Sequence, residues 1–165
     1  MSRADLSLSL CTVARTAEIV GEAWTLVILR ELFLGQRRFD ALQTFTGASP
    51  PLLSQRLKRL EAEGIVARRR YCDRPPRDEY RLTEQGRDLW PVIVALKSWG
   101  DRWRAPDGVD PVRIVHKGCG KVMSPRLTCP ECGEPLQAQD AEAQIDPAFA
   151  AEREGRRTKT GRNDP

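Results

Sequence analysis

The sequence predicts a mainly α-helical domain carrying one small β-hairpin, an α+β arrangement, with a separate cysteine-bearing module after it. Three observations support this. Between Cys11 and Glu63, apolar residues recur at helical spacing in four stretches broken by glycines. From Ile65 to Leu82 the texture changes to two short runs flanking a Pro-Pro turn. Beyond Ala105 the chain turns rich in Pro, Gly and Asp, and three of its five cysteines gather near its only histidine.

The elements follow in order. Cys11 to Val20 reads as a helix that Gly21 can end, and Met1 to Leu10 as a loosely held arm. Ala23 to Leu34 places Trp24, Val27, Ile28 and Leu32 on one face, with Gly35 just past its end. Arg38 to Phe45 is a third, short helix closed by Gly47. Ser49-Pro50-Pro51 opens a fourth: serine can cap free amides, and proline is tolerated in a first turn whose N–H groups lack helical partners. Leu53, Leu57 and Leu60 then form an apolar stripe that must face a core, while Ser54, Gln55, Lys58 and Arg59 fall off it. Ile65 to Tyr71 and Glu79 to Leu82 read as strands, with Asp73 to Asp78 as the turn. Thr83 caps a long helix running to Trp103, kinked at Pro91, where one backbone bond is lost. Residues 105–110 are a linker, 111–140 the cysteine module, and 141–165 a tail in which no apolar period survives, which predicts disorder.

Charge narrows the function. Residues 1–105 hold 18 Lys and Arg against 13 Asp and Glu, whereas residues 106–165 hold 9 against 10. The net positive charge therefore belongs to the helical segment, where it can attract a phosphate backbone or simply be a solvated basic face. The apolar run from Trp24 to Leu29 is far too short to span a bilayer, and the N-terminus does not read as a signal peptide, so the expected location is the cytoplasm with no membrane partner. A phosphate-cradling glycine loop, an HExxH motif and a second histidine to serve as general base are all missing, which argues against an enzyme.

Helices followed by a two-stranded ribbon give the element order of a winged helix-turn-helix, in which one helix enters the major groove of double-stranded DNA. On that reading the groove face is Ser49, Pro50, Ser54, Gln55, Arg56, Lys58 and Arg59. Gln55 suits adenine and Arg56 guanine, and the helix N-terminus at Ser49 suits a phosphate. The hairpin adds Arg68, Arg69 and Arg70, and a proline-stiffened tip with Arg74 and Arg77 suited to a minor groove or backbone. The same fold also serves as a protein-binding scaffold, which stays open as an alternative.

Cys11, Gly21 to Thr25, Ile28 to Leu32, Arg38-Phe39, Ser49-Pro50, Leu53 to Leu57, Leu60-Glu61, Gly64, and Pro75-Pro76 through Thr83 resemble the HxlR family of bacterial transcription regulators, over about residues 8–104. The resemblance implies a homodimeric regulator, expected to act as a repressor on a palindromic operator. Its recognition helix would be Ser49 to Glu63, its wing about Val66 to Leu82, and its dimer interface the helices Cys11 to Val20 and Thr83 to Trp103. The rings of Trp90, Trp99 and Trp103, more than a lone exposed helix can hide, fit that interface. It also implies that Cys11 can act as a redox sensor, the alternative being a small buried residue at the interface. No residue pattern identifies a small-molecule effector.

The last feature lies outside that resemblance. His116-x2-Cys119 and Cys129-x2-Cys132 are two ligand pairs separated by nine residues, with Gly118, Gly120 and Gly133 supplying the backbone angles of tight knuckles. HisCys3 suits a structural zinc ion with no open position, and Cys-Pro-Glu-Cys-Gly looks like half of a zinc ribbon. The alternatives are a ribbon that no longer binds metal, or a redox dithiol at Cys129 and Cys132.

Overall fold

The computed structural model describes residues 6–160, so the first five residues of the arm and residues 161–165 of the tail lie outside the description. Helices α1 (Thr12–Val20), α2 (Ala23–Phe33), α3 (Phe39–Thr46) and α4 (Pro50–Ala62) precede a hairpin of β1 (Val66–Asp73) and β2 (Pro76–Leu82). Then come α5 (Glu84–Arg87), α6 (Trp90–Trp103) and, after the cysteine module, α7 (Pro147–Thr160). The chain forms two compact units, residues 1–86 with 143–165, and residues 87–142.

The first unit is built on the stripe that the sequence marks. Leu53, Leu57 and Leu60 of α4 are buried together with Ile28 and Leu29 of α2, Leu42 of α3, and Val66 at the start of β1. α2 packs against α1, α3, α4 and β2, so it is the central helix of the unit. α4 ends where Gly64 takes φ 71°, a left-handed angle that glycine adopts without strain, and the Ile65 N–H reaches back to the Leu60 carbonyl at 2.9 Å. This turn delivers the chain straight from α4 into β1.

β1 and β2 are antiparallel, with Val66 opposite Leu82 and Asp73 opposite Pro76, and the register is irregular between Arg70 and Cys72. The hairpin is longer than the sequence suggests. Pro76 sits at the turn end of the ladder, where no N–H is required, so the turn tightens to Arg74-Pro75. A third segment joins it on the β2 side: Arg38 bridges to Glu79, and the Tyr80 N–H donates to the Arg37 carbonyl at 2.7 Å. At the hairpin's base the Thr83 hydroxyl accepts the Gly86 N–H at 3.1 Å. A Cβ on Gly86 would lie 2.1 Å from the Ile65 carbonyl oxygen, so only glycine fits.

Two expectations from sequence are corrected. The single kinked helix from Thr83 to Trp103 is two helices, α5 and α6. Pro91 cannot donate to the carbonyl of Arg87 and its ring clashes there, so α5 ends at Arg87 and proline falls in the first turn of α6. The tail is not disordered through its length, because Pro147–Thr160 is helical. Asp146 caps that helix, accepting the Ala148 N–H at 2.8 Å. The helix is tied to the N-terminal arm by one carboxylate: Glu152 accepts the Ser9 hydroxyl at 2.7 Å and the Leu10 N–H at 2.8 Å. The arm is accordingly held at Ser9, which is buried. Such a polar anchor leaves no apolar period to read.

In the second unit, α6 is followed by two small hairpins closed by the bridges Val115–Val122 and Thr128–Pro135. A cleft of about 220 Å³ lies between the end of α6 and the first hairpin, where Lys97 pairs with Asp101 and Asp110. Among the described residues no helix is long and apolar enough to cross a membrane.

Candidate nucleic-acid interface

The interface begins at the N-terminus of α4. Ser49 occupies the N-cap position with extended backbone, but its hydroxyl makes no capping bond. Pro50 and Pro51 have no N–H, so Leu52 alone keeps a first-turn amide. The expected phosphate seat of several free amides is thus reduced, and what remains is the exposed Ser49 hydroxyl beside an exposed Pro50-Pro51 edge. Further along α4, Gln55 and Lys58 are exposed and Ser54 is half-buried. Gln55 and Lys58 point away from the Leu53-Leu57-Leu60 stripe, which is fixed in the core, and Ser54 lies on its flank.

Arg56 and Arg59 differ from the sequence reading. Both are turned back into the unit. Arg56 Nη2 lies 3.0 Å from Glu22 Oε2, and Arg59 Nη2 donates to Glu18 Oε1 at 2.5 Å and to the Glu18 carbonyl at 2.9 Å. Their side chains are only 14% and 24% exposed. At 3.6 residues per turn position 56 flanks the core stripe, whereas position 59 lies about as far from it as Lys58 does on the other side; the Glu22 and Glu18 carboxylates draw both guanidinium groups inward.

The hairpin supplies the second half. Arg69, Arg74 and Arg77 are exposed, and none of the three carries an ion pair among the described residues. Arg68 and Arg70 share Asp78 at 3.8 and 3.5 Å, and Arg68 also faces Glu61 at 3.9 Å. Burial pushes the Tyr80 hydroxyl above its ordinary pKa, partly offset by the facing Arg68. Arg38 joins this basic face, its guanidinium 4.8 Å from the centre of the Tyr71 ring. Sequence reasoning missed Arg38, since only the rung to Glu79 brings it to the hairpin.

The cysteine module makes two tight turns, one at each pair of expected ligands. In the first, the Gly120 N–H donates to the His116 carbonyl at 2.8 Å, and His116 Nδ1 lies 3.3 Å from Cys119 Sγ. In the second, the Gly133 N–H donates to the Cys129 carbonyl at 2.8 Å. Gly120 and Gly133 both take left-handed angles; Gly118 does not. Backbone N–H groups of Cys132 and Glu131, together with the Cys132 thiol, pull the Cys129 thiol below its ordinary pKa. The ligands are thus brought together in pairs, and among the described residues no three His, Cys, Asp or Glu side chains form one metal-holding group. Cys11 stands at the N-cap of α1, half-exposed and with a free thiol, and its N–H donates to the Ser9 hydroxyl at 3.1 Å.

A core-anchored helix leading through a glycine turn into a basic hairpin defines a winged helix-turn-helix protein. Residues 19–108 match the HxlR-like helix-turn-helix family, and the chain belongs to that family. It is 44% identical over 140 residues to the HTH-type transcriptional regulator Rv3095 of Mycobacterium tuberculosis, covering 85% of this chain and 89% of the relative. Similar solved structures include PA1607, with TM-score 0.77, 29% identity, and 86% and 99% of the two chains covered. The redox regulator HypR in its oxidized form matches with TM-score 0.55 and 34% identity over 58% of this chain and all of that one.

Proposed function

We propose that the protein is a sequence-specific DNA-binding transcriptional repressor that acts as a homodimer on a palindromic operator in the cytoplasm. One observation carries the reading: the exposed Ser49, Gln55 and Lys58 of α4 lead directly into a hairpin bearing the exposed Arg69, Arg74 and Arg77. Hydroxyl and amide side chains suit base edges, while exposed cations suit phosphates and narrow grooves. Dimerisation is supported by apolar surface on each unit: Val13 on α1, and Leu96, Trp99 and Trp103 on α6, all more than two-fifths exposed. A two-fold dimer would place two α4 helices about one DNA turn apart.

Two further roles belong to this reading. Cys11 senses oxidants or electrophiles; its half-exposed free thiol and the likeness to HypR support this, and oxidant should alter DNA affinity in the native protein but not in Cys11→Ser. His116, Cys119, Cys129 and Cys132 hold one structural zinc ion. The donor types suit that ion, each turn bringing one pair of them together, and the metal would join the two pairs and supply folding energy that so short a segment lacks. The DNA reading is tested by gel shift on the region upstream of its own gene. A complex that survives competitor DNA supports it, and binding that is only salt-sensitive and sequence-blind would favour the protein-scaffold alternative.

A further inference from the structure

We propose that Arg56 and Arg59 are positioning residues that clamp α4 to the α1–α2 corner, and that they do not read DNA. The inference rests on the DNA-binding reading and names what aims its helix.

The geometry is that of a clamp. Glu18 lies in the last turn of α1 and Glu22 at the N-cap of α2, on either side of the Gly21 corner. Arg59 and Arg56, three apart on α4, take one carboxylate each. Arg59 does more than pair. It also donates to the backbone carbonyl of Glu18, in the last turn of α1. α1 carries no basic residue in its last turn, so a guanidinium from another helix places positive charge at its negative end. The Arg56 Nε is buried without a hydrogen-bond partner, which marks a side chain drawn inward for its ion pair. Both groups hold the pitch of α4, and hence the aim of Ser49, Gln55 and Lys58.

The two roles predict opposite signs for one substitution. Glu18→Gln is nearly isosteric and deletes a negative charge near the DNA face. If Arg59 contacts phosphate, removing its competitor tightens DNA binding. If Arg59 positions α4, specific binding weakens. The probe is a duplex selected from random sequence by the native protein, with a scrambled duplex as control. The clamp predicts that Glu18→Gln and Arg59→Gln each lower affinity for the selected duplex at least about fivefold, the lower end of what loss of one bidentate base pairing costs. Both should leave the scrambled duplex and the salt slope unchanged, and the double variant should be no weaker than either single one. Tighter binding by Glu18→Gln, a salt slope reduced by about 0.9 in Arg59→Gln, or no change in either variant overturns the clamp. Should the native protein select no duplex at all, the DNA reading falls with it.

Discussion

Changing Arg74 and Arg77 together to alanine removes the charge from the tip of the hairpin and nothing else. Both side chains are exposed, and neither is ion-paired among the described residues. Stability should therefore stay within about 0.5 kcal/mol of the native protein, as expected for surface positions without a structural role. DNA binding should respond differently. Each neutralised phosphate contributes about 0.9 to the slope of log affinity against log salt. If each arginine neutralises one phosphate, the double substitution lowers the slope by about 1.8 per wing, which at about 0.15 M monovalent salt corresponds to roughly 30-fold in affinity. The assay is a fluorescence anisotropy titration of a selected duplex at several salt concentrations, beside thermal unfolding of both proteins. An unchanged slope refutes the wing's contact with the backbone. A lowered slope with a collapsed melting temperature would show that the arginines support the fold instead.

Other consequences are checked more simply. Leu57→Ala empties a site that is 1% exposed and should cost about 2–5 kcal/mol by denaturant unfolding; a loss well under 1 kcal/mol would mean the stripe is not the core. The Glu152 carboxyl is held below its ordinary pKa, first by the Leu10 N–H and then by the Ser9 hydroxyl. A depressed folded value means the α7 tether is fully present above the ordinary glutamate value of about 4.3 and is lost as pH falls through the lower folded value. Amide protection in α7 and in Ser9 to Cys11, relative to intrinsic exchange rates, should fall together on acidification, and Glu152→Ala should remove the pH step; protection independent of pH would contradict the tether. Purified protein with intact thiols should carry one zinc per chain by elemental analysis, and Cys129→Ser with Cys132→Ser should abolish it. Metal-free protein with protected knuckle amides would refute the zinc site.

Much of this was legible in the sequence because the physics is local. The Leu53-Leu57-Leu60 period places α4's buried face without any tertiary knowledge, and Gly64 marks its end. The two Cys and His pairs sit on tight turns because their glycines permit them. What stayed hidden depends on pairings between distant residues. Arg56 and Arg59 look like groove donors on a helical wheel, yet Glu18 and Glu22, some 34 to 41 residues earlier, claim them. Arg38 reaches the wing through a single rung. The α7 helix is fastened by a carboxylate 143 residues from Ser9, and a polar anchor of that kind leaves no hydrophobic period to detect. The break at Arg87 was foreseeable as a kink at Pro91; that it becomes a full interruption reflects the proline's place in a new first turn.

On the proposed function, α4 and the hairpin together read a particular DNA sequence. Selection of duplexes from a random pool, followed by titration of the winner against a scrambled control, tests it most directly. The expected result is a palindromic winner bound at least about 10³-fold more tightly than the control at matched salt, the lower bound for specific regulators. Equal affinity for both duplexes, varying only with salt, would contradict it.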